Sequence, residues 1–250
     1  MAVIVENLTK QFAGQIVVDH LSFSLHKGEV TGFLGLNGAG KTTTMKMMTG
    51  ALEPDQGSVS VLGYSILTQR EQAQKHIGYL PEHNPLYTDM YVKEYLSYVA
   101  DIYKAPKRRI EESIALTQLE SHAHKKIHTL SKGYRQRIGL ASTLLHDPDV
   151  LILDEPTRGV DIGAKQQIYE VIRSLADAGN AVVFASSEYE ELLLAEQEAA
   201  GVPPSPTISS TAASSPGSAD NSCGMVRAAW SYPPLTRSAT PAPRARLVSS

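Results

Sequence analysis

Two short stretches of this 250-residue chain carry residue types and spacings suited to phosphate chemistry. The first, Gly35-Leu36-Asn37-Gly38-Ala39-Gly40-Lys41-Thr42, fits GxxxxGK[ST]. Its glycines let backbone N–H groups wrap phosphate oxygens, and a helix starting there adds partial positive charge. Lys41 can reach the β and γ phosphates as a catalytic cation, and Thr42 can offer its hydroxyl to Mg²⁺. Thr43, next in the chain, belongs to the same set of phosphate-binding candidates. The second stretch, Val150-Leu151-Ile152-Leu153-Asp154-Glu155, is an apolar run ending in paired acids. Asp154 is suited to hold Mg²⁺, directly or through water, and Glu155 to polarise an attacking water as general base. Together the two stretches describe a P-loop NTPase, a class that still spans kinases, GTPases, helicases and motors.

These residues need a scaffold that brings them together. Glu29 to Leu34 reads as a buried strand running into the glycine-rich loop, and Thr42 to Leu52 as the helix after it. Val150 to Leu153 and Ala181 to Ala185 read as further buried strands, with Gly163 to Ala178 helical between them. Strands alternating with helices predict an α/β fold, a P-loop NTPase core with a parallel sheet. Ala2 to Val5, Ile16 to Leu25 and Val59 to Leu62 suggest a small antiparallel β layer beside it. Between about 84 and 145 the pattern turns helical, with Val92 to Tyr103, Lys107 to Leu119 and Gly133 to Leu145 as its helices.

At the last of these helices, Leu130-Ser131-Lys132-Gly133-Tyr134 resembles the signature sequence of ABC transporter ATPases, departing from the usual LSGGQ at Lys132 and Tyr134. Ser131 and the Gly133 backbone can meet a γ-phosphate at a helix start, although a plain capped helix start has the same residues. The resemblance covers about residues 2–195 and implies an ATP-binding domain that hydrolyses ATP with Mg²⁺. It further implies a second such subunit, a copy or a paralogue, whose P-loop faces this signature in a head-to-tail dimer. A membrane-spanning permease is the other implied partner, received on the helical insert at about 84–127. The implied location is cytoplasmic, peripheral on the inner face of the cell membrane.

Other positions take roles from the same resemblance. Phe12 lies where an aromatic ring stacks on adenine, though a lone Phe in a β-rich region is as readily core. Glu82, in Gly78-Tyr79-Leu80-Pro81-Glu82, stands where many members carry a glutamine that senses Mg²⁺ and the γ-phosphate. Asp161, in Thr157-Arg158-Gly159-Val160-Asp161, matches the acid of the family's D-loop. Glu188, after Ala185-Ser186-Ser187, replaces the usual switch histidine as a catalytic candidate, and a carboxylate there would repel phosphate. It also fits as the first-turn acid of a helix. Residues 74–145 look like ATPases of export and gliding-motility systems, and 150–193 like those of sugar importers, so transport direction stays open.

Composition narrows the partners. The net charge of −3 leaves no basic footprint, which argues against nucleic acid as a partner. One cysteine, Cys223, cannot form an internal disulfide, and the chain shows neither a signal peptide nor an apolar run long enough to span a membrane. Residues 196–250 are rich in Ser, Pro and Ala without apolar periodicity, which predicts a disordered C-terminal tail. Two origins fit this tail: an ordinary flexible extension, or a truncated or frame-shifted end that has replaced the family's last strands. The second would expose a sheet edge and leave a nucleotide-binding remnant with little turnover. A non-transporting ABC ATPase is a third reading, weakened by the lack of an internal repeat.

Overall fold

The structure, a computed structural model, describes residues 1–187, 207–209 and 226–231. In chain order its elements are β1 (Val3–Phe12), β2 (Gln15–Leu25), β3 (Glu29–Leu34), α1 (Lys41–Met48), β4 (Gln56–Val61), β5 (Tyr64–Ser65) and α2 (Arg70–Gln74). They continue as β6 (Ile77–Leu80), α3 (Val92–Tyr103), α4 (Arg108–Leu116), α5 (Lys132–Thr143), β7 (Val150–Asp154), α6 (Ile162–Asp177), β8 (Ala181–Ser186), β9 (Thr207–Ser209) and β10 (Val226–Ser231).

The expected antiparallel layer is a four-stranded sheet in the order β2-β1-β4-β5. Its inward side chains, among them Val3, Val5, Leu25, Val59 and Val61, alternate as a half-buried sheet requires. Beside it, β6, β7, β8 and β3 lie parallel and in that order. Every residue of β7 and β8 is buried, the physical reason their sequences run apolar without alternation. One core fills the space between the two sheets around Met45, Met47 and Met48 of α1, and another packs α6 on the opposite face. A third core, around Leu96, Ile114, Ile127 and Ile138, binds the helices of the insert to one another.

Three differences from the sequence reading stand out. α1 ends at Met48 rather than Leu52, because Gly50 takes a left-handed conformation (φ +74°). β6 escaped the reading: it is four residues long and interrupted by Gly78, whose Cβ position lies 2.8 Å from the Thr143 carbonyl oxygen, so the helix above needs a glycine there. Finally, Thr207–Ser209 and Val226–Ser231 are strands inside the stretch read as a disordered tail. β10 runs antiparallel along β3, from Val226 opposite Leu34 to Ser231 opposite Glu29, and β9 pairs with β10. The sheet edge at β3, which a truncated or frame-shifted end would expose, is therefore covered. Among the described residues, no helix is long and apolar enough to cross a membrane.

Candidate functional site

The parallel register decides which loops meet. Leu34 lies opposite Ser186, Asp154 opposite Ala185, and Leu153 opposite both Phe184 and Leu80. The loops after β3, β6, β7 and β8 thus leave the same edge of the sheet, the carboxyl edge where open α/β sheets bind ligands. Gly35, Glu82, Glu155 and Ser187 are carried there from four neighbouring strand ends.

The glycine-rich loop turns sharply at Gly40 (φ +85°), where any Cβ would stand 2.6 Å from the Val17 carbonyl oxygen of β2. Only glycine fits this approach, so the antiparallel layer and the phosphate loop are locked together. Leu36, Asn37 and Gly38 remain exposed, while Lys41 at the start of α1 is 5% exposed. Its ammonium donates to the carbonyls of Gly35 (2.6 Å) and Leu36 (3.2 Å). It also lies 3.3 Å from a Glu155 carboxylate oxygen. Thr43 is half-buried in the first turn of α1.

Asp154 ends β7 only 1% exposed. Its Oδ1 accepts a hydrogen bond from the Thr42 hydroxyl at 3.2 Å, and its Oδ2 is buried with no partner among the described residues. Burial pushes this carboxyl above the usual carboxylate range; the Thr42 bond and the Lys41 charge oppose the shift, while Glu155 and Glu82 add to it. One strand over, the buried Tyr79 hydroxyl is also unpartnered, pushed up to about 12 by burial and by the charge on Asp154. A buried oxygen without a donor, beside a hydroxyl that already shares the carboxylate, suits a hard cation that takes oxygen ligands. The pair Thr42 and Asp154 therefore fits Mg²⁺.

Glu155 has a left-handed backbone (φ 50°), uncommon outside glycine, held by its N–H donating to the Ala185 carbonyl at 3.0 Å. This kink turns its side chain towards the P-loop lysine. Its other carboxylate oxygen accepts from both the backbone N–H and the hydroxyl of Ser187, each at 3.1 Å. Sequence reasoning gave Ser187 no role, although it adjoins Glu188, and only the β7–β8 register reveals the contact. Glu188 itself lies outside the described residues.

The remaining candidates fall into separate places. Glu82 is half-buried and forms an ion pair with Arg158, a residue to which the sequence assigned no task. Both line a cavity of about 700 Å³ together with Lys132 and Arg135. Ser131 caps α5, its hydroxyl accepting from the Tyr134 N–H at 3.5 Å, and Asp161 caps α6 by accepting from the Ala164 N–H at 3.0 Å. Gly133 is buried between them, with room for no Cβ because Ala164 Cβ would lie 2.6 Å away. These three residues form one cluster at two helix starts, and their hydrogen bonds stay within it. Phe12, at the tip of the β1–β2 hairpin, is 46% exposed with the Lys10 ammonium 5.6 Å from its ring centre, so it is a surface ring and not core.

Comparison with known proteins agrees with this geometry. The chain is 42% identical over 191 residues to the uncharacterized ABC transporter ATP-binding protein YhcH of Bacillus subtilis, covering 76% of this chain and 63% of that protein. It is 37% identical over 191 residues to the Nod factor export ATP-binding protein I of Ralstonia nicotianae, covering 75% of this chain and 60% of that protein. The chain thus spans about three-fifths of the length of these curated relatives. Among solved structures, cbiO1 from Clostridium perfringens, part of the ABC transporter complex cbiONQ, superposes with a TM-score of 0.71 at 26% identity, covering 78% of this chain and 82% of that one. The sequence model for the ABC transporter family matches residues 18–158, a stretch that contains the P-loop, the signature and the paired acids. On that match, which takes in more than half of its length, the chain belongs to the ABC transporter family.

Proposed function

We propose that this chain is the ATP-binding subunit of an ABC transporter, hydrolysing MgATP to drive a membrane-spanning permease. The carrying observation is the convergence of Lys41, Thr42, Asp154 and Glu155 around one exposed phosphate loop, with an unpartnered buried oxygen on Asp154. The backbone of Gly35 to Thr42 would hold the β and γ phosphates, with Lys41 exchanging its carbonyl partners for phosphate oxygens. Thr42 and Asp154 would hold Mg²⁺, which when bound neutralises charge on the phosphates. Glu155, oriented by Ser187, would accept a proton from the water attacking the γ-phosphorus as the bond to ADP breaks. Phe12 would stack on adenine.

Ser131 and Gly133 stand at the start of α5, where Ser131 accepts from the Tyr134 N–H, a placement that supports a composite site in which these residues face the P-loop of a second subunit in a head-to-tail pair. The export protein among the relatives supports export as the direction of transport. Action at the cytoplasmic face, through the permease, follows from the same reading. Nothing in the described site favours an inactive remnant, since the lysine, the hydroxyl and both acids are in place.

Turnover per subunit, measured as protein concentration rises through the micromolar range, tests the pairing. A rise with concentration is expected, and a flat profile would count against the composite site. Absence of Mg²⁺-dependent ATP binding would overturn the reading altogether.

A further inference from the structure

Glu82 lies two residues past the end of β6 and Glu155 one residue past the end of β7, and Leu80 lies opposite Leu153. The parallel register therefore delivers a third carboxylate to the site edge beside Asp154 and Glu155. Three acids would oppose a triphosphate unless each is matched. In the nucleotide-free chain Lys41 pairs with Glu155 and the Thr42 hydroxyl donates to Asp154, which leaves Glu82.

Resting on the MgATP reading above, we infer that Arg158 is a positioning residue whose guanidinium holds and neutralises Glu82, so that a glutamate can stand beside the metal position without adding an unpaired negative charge. The ion pair joins the loop after β6 to the loop after β7, over 76 residues of sequence. Arg158 is suited to this because its guanidinium cannot lose its proton, and its planar fork fixes the direction of the carboxylate. Among the described residues lining the adjoining cavity, Glu82 is also the sole acid, and Lys132, Arg135 and Arg158 supply positive charge. The carboxylate is thus held between a cationic wall and the Asp154 edge, and Arg158 sets how much of its charge the metal position feels.

The test is equilibrium binding of a fluorescent ATP analogue to the full chain across a range of free Mg²⁺, with no turnover needed. Arg158→Gln unmasks Glu82 and should lower the half-maximal Mg²⁺ concentration by about tenfold, the scale of one charge acting across a protein edge. Glu82→Gln unmasks Arg158 and should raise it by about the same factor. With both substitutions the Mg²⁺ dependence should return to that of the wild type. A purely structural salt bridge predicts loss of binding in the same direction for both single variants, and that result, or unshifted Mg²⁺ dependence, overturns the inference. Should Arg158→Gln fail to fold, Arg158→Lys and Glu82→Gln carry the comparison: the lysine variant keeps the charge and must keep near-normal Mg²⁺ dependence while Glu82→Gln shifts it. Failure of the wild type itself to show Mg²⁺-dependent binding would instead indict the functional reading on which the inference rests.

Discussion

The Lys41 ammonium and a Glu155 carboxylate oxygen lie 3.3 Å apart with side chains only 5% and 4% exposed. Burying both charges is costly, and the pair persists because each member has further partners: two P-loop carbonyls for Lys41, and Ser187 for Glu155. On the proposed reading, phosphate arriving at the loop would compete with Glu155 for Lys41, and the carboxylate released by that exchange would be the one placed to act as base.

Glu155→Gln keeps the shape and a hydrogen-bond acceptor for Ser187 but removes the base. ATP turnover should fall by about 10²- to 10⁴-fold while ATP binding is retained, because only the proton-transfer step needs the carboxylate. Turnover assays paired with nucleotide titrations check this, and unchanged turnover would remove Glu155 from the mechanism.

Asp154→Asn should separate stability from function. The carboxyl is raised by burial, so at neutral pH its ionised form is a burden on the nucleotide-free fold, lifted when an amide takes its place. The melting temperature of the nucleotide-free variant should rise by about 2–4 °C for each kcal/mol relieved. At the same time, MgATP should lose its stabilising effect on the variant. In the wild type, adding a chelator should abolish most of the thermal shift produced by MgATP. A variant that melts lower and still responds to MgATP would contradict both roles.

Phe12→Ala should weaken ATP binding by about 1–3 kcal/mol, the range for a base stacked on an aromatic ring. Because the ring is 46% exposed, the melting temperature should hardly change. Equal affinity for ATP in the two proteins would place adenine elsewhere.

Asp149 sits at the opposite edge of the sheet, with the Lys27 ammonium at 2.6 Å and the His76 ring at 2.8 Å. Burial alone would raise its carboxyl, but Lys27 and His76 outweigh burial and hold it below the ordinary value of 3.8. A lowered folded value contributes stability above 3.8 that is lost as the pH falls through the folded value. Asp149→Asn should therefore cost on the order of 1 kcal/mol at pH 7, modest because the pair is partly exposed. Denaturant unfolding at neutral pH and near pH 3 should show that difference shrinking with acid. A constant difference would mean that packing, not charge, sets it.

Residue type and order were enough to read the phosphate loop, the paired acids and the signature from the chain alone. Each is local: a glycine-rich turn between strand and helix, or an apolar run ending in acids, works within a few consecutive residues. Sequence could also separate the antiparallel layer from the parallel core, since one alternates and the other does not. Tertiary structure decided whatever depends on strand register. Ser187 reaches Glu155, Arg158 reaches Glu82 and Asp154 keeps an unpartnered oxygen only because β6, β7, β8 and β3 align at one edge. The glycine-interrupted β6 and the cover of β3 by β10 depend on neighbours distant in sequence, so no periodicity within either segment could announce them.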